Sequence, residues 1–162
     1  MLGRTYDGEV CSAARALEIV GERWSLLILR NAAFAGMTRF TDFQKSLGIA
    51  PNILAARLEH FVDTGLMAAS GESGRHQAYQ LTEKGLDLKP VIIALTEWGD
   101  RWAAPDGPPI VYEHEGCGGR VRHELYCEKC AESPRPQEVT ARKTAVMRRL
   151  QERRMARQDG NS

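Results

Sequence analysis

Residues 38–67, "TRFTDFQKSLGIAPNILAARLEHFVDTGLM", decide the fold. Apolar residues at helical spacing predict a short helix over residues 40–47, which Gly48 ends. Pro51 suits the first turn of a second helix over residues 51–64, because its missing N–H has no intrahelical partner there. The stretch therefore predicts two amphipathic helices joined by a tight, glycine-containing turn.

The flanking segments extend this pattern in both directions. Residues 11–20 and 22–34 predict two helices, and the second is so apolar on all sides that we expect it in a core or between subunits. Residues 66–82 predict a β-hairpin around a Gly/Ser turn. Residues 83–102 predict a helix that Thr82 caps and that Pro90 kinks or divides. Thr38 is the expected N-cap of the 40–47 helix.

This order of elements is that of a winged helix-turn-helix. We expect a mainly α fold with a small β-hairpin wing, followed by a small Cys/His-containing β-rich C-terminal appendage and a basic tail. Residues 1–103 would form the DNA-binding and dimerisation domain, 104–109 a linker, 110–134 a β-hairpin or zinc-ribbon-like appendage, and 135–162 the tail. The linker, "APDGPP", is the clearest break in the chain.

The helix over residues 51–64 is the candidate DNA-reading element, since such a helix enters the major groove with its N-terminal residues on base edges. On a helical wheel with Leu58 inward, Asn52 points outward and can pair with an adenine edge, beside small apolar residues suited to a thymine methyl. The candidate DNA-contacting residues are Arg39, Asn52, Ile53, Ala56, Arg57, His60, Arg75 and His76.

Some of these candidates have a structural alternative. Arg57 is as readily explained by an ion pair with Glu59, Asp63 or another carboxylate, and His76 by a simple exposed polar position. Asp63 faces the same way as the proposed contacts, but it lies near the helix C-terminus and is expected to stay outside the groove.

Four segments together resemble the HxlR-type transcriptional regulators, a winged-helix family related to MarR regulators. They are "CSAARALEIVGERWSLLILR" (11–30), "RFTDFQKSLGIAPNILAARLEHFVDTGL" (39–66), "YQLTEKG" (79–85) and "EWGDRW" (97–102). The resemblance implies a dimeric DNA-binding regulator, usually a repressor, without catalytic activity. It also implies that the N-terminal helix and the long helix after the wing form the dimer interface.

The long helix after the wing supports dimerisation independently, because its apolar stripe exceeds what one winged-helix core covers. The predicted interface residues are Leu88, Val91, Ile92, Leu95, Trp98 and Trp102.

The four cysteines raise two separate questions. His114-x2-Cys117 and Cys127-x2-Cys130 have the spacing of two half-sites of a structural zinc site, with His123 as a substitute ligand. In a simple hairpin, however, Cys117 at the tip would lie about 20 Å from Cys127, so free thiols or a CxxC redox pair remain the alternatives. Cys11 opens the first helix, where a helix N-terminus can lower a thiol pKa. The resemblance makes it a redox candidate, and a small partly buried helix residue is the alternative.

Charge and composition limit the function. Residues 141–162 hold seven of the 22 Lys and Arg but only two of the 21 Asp and Glu. This basic tail either contacts nucleic acid or is a solvated end. No segment predicts a membrane span, and the N-terminus lacks a signal-peptide pattern, so we expect a cytoplasmic protein.

The leading hypothesis is a homodimeric regulator that binds double-stranded DNA. The sequence does not identify an effector for it. The alternative is a winged-helix protein-interaction module with a zinc-binding or thiol-redox tail. No nucleophile–base pair, phosphate-binding loop or paired carboxylates indicate an enzyme, so no catalytic residues are expected.

Overall fold

The computed structural model describes Tyr6, residues 11–71 and residues 77–159. The candidate contacts Arg75 and His76 lie outside these described residues. The chain divides into two compact units, one made of Met1–Glu18 with Glu124–Ser162 and the other of Ile19–His123. The second contains the helix-turn-helix and the wing.

The described elements follow the predicted order. They are α1 Ser12–Val20, α2 Ser25–Ala35, α3 Phe40–Leu47, α4 Pro51–Asp63, β1 Met67–Ser70, β2 Ala78–Leu81, α5 Glu83–Leu86, α6 Lys89–Trp102, a 3-10 helix Pro136–Glu138, and α7 Ala145–Asp159. None of the helices within the described ranges has the length and apolarity that crossing a lipid bilayer would require.

The core of the Ile19–His123 unit forms where α2, α3 and α4 meet. Phe43 of α3 and Leu54, Leu58 and Phe61 of α4 are fully buried, together with Ile28 of α2. Complete burial of such side chains stabilises the fold by roughly 1.5–3 kcal/mol each. The inward stripe predicted for residues 51–64 is therefore confirmed, and it determines which face of α4 remains outside.

The turn between α3 and α4 explains why α4 begins with a proline. Gly48 adopts a left-handed conformation, φ 60°, and its N–H donates to the Gln44 carbonyl at 2.9 Å, which ends α3. Ala50 is extended, and its carbonyl accepts the first helical bond of α4, from Leu54 N at 3.0 Å. Pro51 thus occupies the first turn, where no N–H is needed.

Helix α3 spans the predicted residues, but its N-cap is not the expected Thr38. Arg39, not Thr38, precedes its first residue in extended conformation. The Thr38 carbonyl accepts from Tyr79 N at 2.8 Å, and Arg39 forms an isolated antiparallel bridge with Ala78. Residues 38–39 are therefore committed to the edge of the wing, and Thr38 cannot also serve as the cap.

The hairpin predicted after α4 is present, and so is the predicted break in the following helix at Pro90. β1 pairs with β2 in antiparallel register, from Met67 opposite Leu81 to Ser70 opposite Ala78. Pro90 divides the following helical segment into α5 and α6, and lies in the first turn of α6.

A short motif after the wing, Thr82 to Gly85, fixes the C-terminal end of α4. Thr82 caps α5 by accepting from Gly85 N, as predicted, and its hydroxyl donates to the Gly65 carbonyl at 2.7 Å. Lys84 Nζ donates to the Thr64 carbonyl at 2.6 Å, where α4 ends. A Cβ built on Gly85 would lie 2.2 Å from the Leu66 carbonyl oxygen. Only glycine lets the α5 backbone approach this closely.

The segment after α6 differs from the predicted appendage. The described residues 110–134 contain turns and two isolated bridges, Glu113–Arg120 and Cys127–Glu132, but no strand, so the β-rich appendage is not confirmed. Nearly all their side chains are exposed. A hairpin without a buried face gains little from pairing, and that is the physical reason.

The predicted linker 104–109 falls inside the Ile19–His123 unit. Tyr112 connects the following segment to the same unit, because its ring lies 4.4 Å from the Phe34 ring of α2 and its hydroxyl 3.1 Å from Thr96 Oγ1 of α6.

The basic tail contains a helix that the sequence analysis did not predict. α7 consists mostly of strong helix formers such as Ala, Met, Arg and Gln. Thr144 supports its start by accepting from Met147 N at 3.3 Å.

Candidate nucleic-acid interface

The outward face of α4 begins directly after the turn. Asn52 and Ala56 are exposed, and Ile53 is 42% exposed although it is a large apolar residue. All three lie opposite the buried Leu54 and Leu58. An amide with two apolar neighbours, at the N-terminal half of a projecting helix, suits the edges of A·T base pairs in the major groove.

Arg57 lies at the flank of this face and has a carboxylate partner. Its guanidinium is 4.0 Å from the Glu22 carboxylate, and the two side chains are 24% and 67% exposed. The alternative interpretation of Arg57 as an ion-pair residue thus has support, with Glu22 rather than Glu59 or Asp63 as the partner. Exposed pairs of this kind contribute little to stability, about 0–1 kcal/mol.

His60, one of the candidate DNA-contacting residues, instead makes a contact within its own chain. Its Nε2 lies 3.1 Å from the Ile19 carbonyl oxygen. Because a carbonyl only accepts, Nε2 is the protonated nitrogen in this contact. The ring lies across the flank of α4 and contacts the end of α1. A helical wheel of α4 alone cannot show a contact with another helix. His60 is therefore not part of the proposed DNA-contacting set.

Arg39 is exposed and directly precedes the first residue of α3. Its backbone bridge to Ala78 places it where the start of α3 meets the wing strand β2. A cation at this position is suited to a DNA phosphate rather than to a base edge.

An acidic groove between α4 and the wing was missed by the sequence analysis. This cavity of about 330 Å3 is lined by Ala55, Glu59, Val62, Asp63, Ala69, Gln77 and Tyr79. Burial raises the pKa of the Tyr79 hydroxyl, and the nearby Glu59 carboxylate raises it further. Its two carboxylates, Glu59 and Asp63, make the groove unfavourable for an anionic ligand.

The predicted dimer face of α6 is partly corrected. Ile92 is 3% exposed and belongs to the core of its own unit, and Leu88 packs against that core. Four residues remain outward on one side of the helix: Val91 (50% exposed), Leu95 (51%), Trp98 (62%) and Trp102 (65%). We call these four residues the α6 apolar face. Their spacing of three and four places them in one row along the helix.

The cysteines fall into three places. His114 Nδ1 lies 3.4 Å from Cys117 Sγ in one turn. In another turn, hydrogen bonds from the Cys130 amide, the Cys130 thiol and the Lys129 amide lower the pKa of the Cys127 thiol. Within the described residues, no group of three or more His, Cys, Asp or Glu side chains is placed to hold a metal ion. The four-ligand zinc site stays a prediction.

Cys11 is exposed beside a cleft of about 500 Å3 within the Met1–Glu18 and Glu124–Ser162 unit. Arg15, Val146, Met147 and Leu150 contribute to the same cleft. The redox role of Cys11 stays a prediction. His123, the substitute ligand, lies outside both cysteine turns, and its N–H donates to Glu97 Oε2 at 3.2 Å.

Comparison with known proteins supports the architecture. The model of the HxlR-like helix-turn-helix family matches residues 19–107. An uncharacterized HTH-type transcriptional regulator of Mycobacterium tuberculosis is 43% identical over 145 residues, which cover 87% of this chain and 86% of the relative. Both matches include the whole of α2 to α6, and the match to the mycobacterial relative also covers most of the rest of the chain.

Solved structures show the same fold. The crystal structure of PA1607, a proposed transcription factor, is 39% identical with a TM-score of 0.73, and the match covers 83% of this chain and 96% of that one. The structure of PA1374 from Pseudomonas aeruginosa, also a proposed transcription factor, is 34% identical with a TM-score of 0.59, covering 86% and 99%. With its winged helix-turn-helix geometry and these matches, the chain belongs to the HxlR-like helix-turn-helix family of transcriptional regulators.

Proposed function

We propose that this transcriptional regulator is a homodimeric repressor that reads a pseudo-palindromic DNA operator through α4. The observation that carries the proposal is the composition of the outward N-terminal half of α4, where Asn52, Ile53 and Ala56 are exposed beside a fully buried inner stripe. Occupation of the operator would block access of the transcription machinery to the promoter.

The contacts divide by chemistry. In this proposal, Asn52 forms a bidentate pair with adenine N6 and N7, and Ile53 and Ala56 pack against thymine methyl groups. Arg39 is expected to contact phosphate, which positions the domain but carries no sequence information. Two subunits related by a two-fold axis would place their α4 helices about 34–36 Å apart, one turn of DNA.

The proposed partner surface is the α6 apolar face. Contiguous exposed apolar patches larger than a few hundred Å2 usually mark an interaction site. A two-fold axis would bring the same face from both subunits together, because an isologous interface uses one patch twice. The N-terminal helix α1 is expected to contribute as well, from the family resemblance.

Asn52→Ala is expected to weaken binding to the cognate operator by about 1–3 kcal/mol and to relax base preference at the contacted position. The reason is the loss of both amide hydrogen bonds to one base. The measurement is a fluorescence-anisotropy titration with the operator, identified by sequencing DNA fragments bound by the protein in its native cell, and with variants at each base pair.

Asp63→Ala is the matched control, since Asp63 is exposed on the same helix but in its last turn. It should leave the ranking of operator variants unchanged. If Asn52→Ala also leaves affinity and ranking unchanged, the proposed orientation of α4 on DNA is wrong, and a protein-interaction role for the domain becomes the better explanation.

A further inference from the structure

Positive charge is unevenly distributed along the chain. Residues 19–107, which match the helix-turn-helix family, hold nine Lys and Arg against ten Asp and Glu. Residues 141–162 hold seven Lys and Arg against two Asp and Glu. Attraction between cations and phosphates supplies nearly all of a protein's non-specific affinity for DNA. The charge needed for that affinity is therefore concentrated in the C-terminal segment and not in the helix-turn-helix.

Carboxylates lower the attraction for phosphate further around α4. The Arg57 guanidinium lies 4.0 Å from the Glu22 carboxylate. Glu59 and Asp63 line the groove between α4 and the wing. A carboxylate close to a cation offsets the attraction that the cation exerts on a phosphate. The described surface around α4 thus offers the DNA backbone little net attraction.

The C-terminal charge is concentrated on a helix. Five of the seven basic residues of the segment lie within α7, Ala145–Asp159. The side chains of Arg148, Arg149 and Arg153 are exposed. Because residues four apart share one side of a helix, Arg149 and Arg153 form a row along α7. The segment therefore presents a defined cationic surface.

The exposed arginines of α7 have no carboxylate partner within the described part of the chain. The ion pairs found there are Arg57 with Glu22 and Arg135 with Glu138. Glu152 lies on α7 itself but pairs with no described arginine. A guanidinium that is not occupied by a carboxylate keeps its N–H donors for phosphate, which it can bind through two parallel hydrogen bonds.

Further cations lie beside the start of α7. Within the Met1–Glu18 and Glu124–Ser162 unit, Arg15 of α1 lines the same cleft of about 500 Å3 as Arg142 and Lys143. All three side chains are exposed, and Lys143 Nζ donates to Gln151 Oε1 of α7 at 3.3 Å. One compact unit thus combines cations from both ends of the sequence. We call the following residues the α7 basic surface: Arg15, Arg142, Lys143, Arg148, Arg149 and Arg153.

The arrangement of side chains on α7 favours DNA over a lipid membrane as the partner. A helix that lies on a membrane separates an apolar face from a basic face. On α7, Val146 and Leu150 precede Arg149 and Arg153 by three residues each, so apolar and basic side chains share one side. The DNA backbone requires only cations and no separate apolar face.

We propose that the α7 basic surface is a second DNA-contacting surface, which binds phosphates of the duplex without reading its sequence. The inference rests on the proposed DNA-binding function and adds a division of roles to it. Phosphate contacts of α7 supply non-specific affinity, and α4 supplies the choice of sequence. Because both helices belong to one chain, contact of either with DNA raises the effective concentration of the duplex at the other.

The test neutralises the exposed arginines of α7 in the full-length protein, with the variant Arg148→Gln/Arg149→Gln/Arg153→Gln. Glutamine is a good helix former, and far-UV circular dichroism checks that the helix content is unchanged. Fluorescence anisotropy follows titrations of the operator duplex and of an unrelated duplex of equal length, from about 50 to 200 mM salt. The slope of log affinity against log salt should become shallower by about 2–3, since each lost phosphate contact removes about 0.9. Affinity should fall by the same factor for both duplexes, at least about tenfold at 100 mM salt.

Two further variants separate the effect of α7 from that of net charge and of folding. Arg120→Gln/Arg122→Gln/Lys129→Gln removes the same charge at exposed positions outside α7 and should bind DNA as the wild type does. Lysine at positions 148, 149 and 153 keeps the charge of α7 and should retain the wild-type slope. A retained slope in this variant assigns the loss in the glutamine variant to charge.

Three results would overturn the proposal. The first is a glutamine variant of α7 with the slope and affinity of the wild type. The second is an equal loss in the control outside α7, because the effect would then follow net charge. The third is tighter binding of the protein to anionic phospholipid vesicles than to duplex DNA. A failure of the α4 proposal gives a different result, in which Asn52→Ala leaves the ranking of base pairs unchanged while the α7 variant still lowers the slope.

Discussion

Replacing Gly85 with alanine is expected to destabilise the Ile19–His123 unit by about 3 kcal/mol, the upper end of the usual cost of overpacking. The new Cβ would lie 2.2 Å from the Leu66 carbonyl oxygen and 2.9 Å from Leu81 Cδ2. Relief requires movement of the backbone, which Thr82 holds through its N–H to Leu66 at 3.0 Å and its hydroxyl to Gly65. Because these bonds join α5 to the end of α4, the substitution should also displace α4, the proposed DNA-contacting helix.

Urea unfolding followed by circular dichroism measures the effect as a lower midpoint with an unchanged slope. Gly99→Ala is the matched control, since Gly99 lies inside α6 and a Cβ there meets no atom within 4 Å. It should be stabilising by about 0.5–1 kcal/mol through helix propensity. Equal stability of Gly85→Ala and the wild type would show that the close approach of α5 to Leu66 is absent in solution.

Leu95→Asp is expected to dissociate the proposed dimer. Leu95 lies at the centre of the α6 apolar face and is 51% exposed in the single chain. Two-fold pairing would bury this position against apolar neighbours, so an aspartate would be left unpaired there, at a cost of about 3–5 kcal/mol. At about 1.4 kcal/mol per factor of ten, the dissociation constant should rise by at least a hundredfold. Operator affinity should fall with it, although none of the proposed DNA-contacting residues has changed.

Sedimentation equilibrium at micromolar concentration measures the dimer directly, and operator titrations measure the consequence. Leu86→Asp is the matched control, because Leu86 is a similarly exposed leucine, 46%, at the end of α5 and outside the α6 apolar face. It should leave the association state unchanged. A wild-type protein that sediments as a monomer and binds a single half-site would rule out both the dimer and the pseudo-palindrome.

The local signals in the sequence determined the helix-turn-helix almost to the residue. Gly48 and Pro51 indicate where one helix ends and the next begins. The spacing of Leu54, Leu58 and Phe61 indicates which side of the second helix faces inward. These predictions succeed because capping, φ preference and helical period act within a few residues of chain. The outward position of Asn52 follows from the same period.

Tertiary structure decided the features that depend on which segments meet. The helical period places Ile92 and Leu95 on the same apolar helix, but only packing against the core separates the buried residue from the exposed one. Arg57 pairs with Glu22 instead of a carboxylate on its own helix, and His60 contacts the carbonyl oxygen of Ile19. Spacing along one helix contains no information about such partners.

The same distinction applies to the loops. The cysteine spacing indicated two half-sites, but it did not show that His114 Nδ1 lies 3.4 Å from Cys117 Sγ or that a Cβ on Gly119 would lie 3.2 Å from that sulfur. Likewise the motif "TEKG" indicates a helix cap. Its glycine, Gly85, is required because the Leu66 carbonyl oxygen, nineteen positions earlier in the chain, leaves no room for a Cβ. The sequence around a residue determines its local conformation. Contacts between distant segments are decided only by the close packing of the whole core, which excludes water and allows one arrangement.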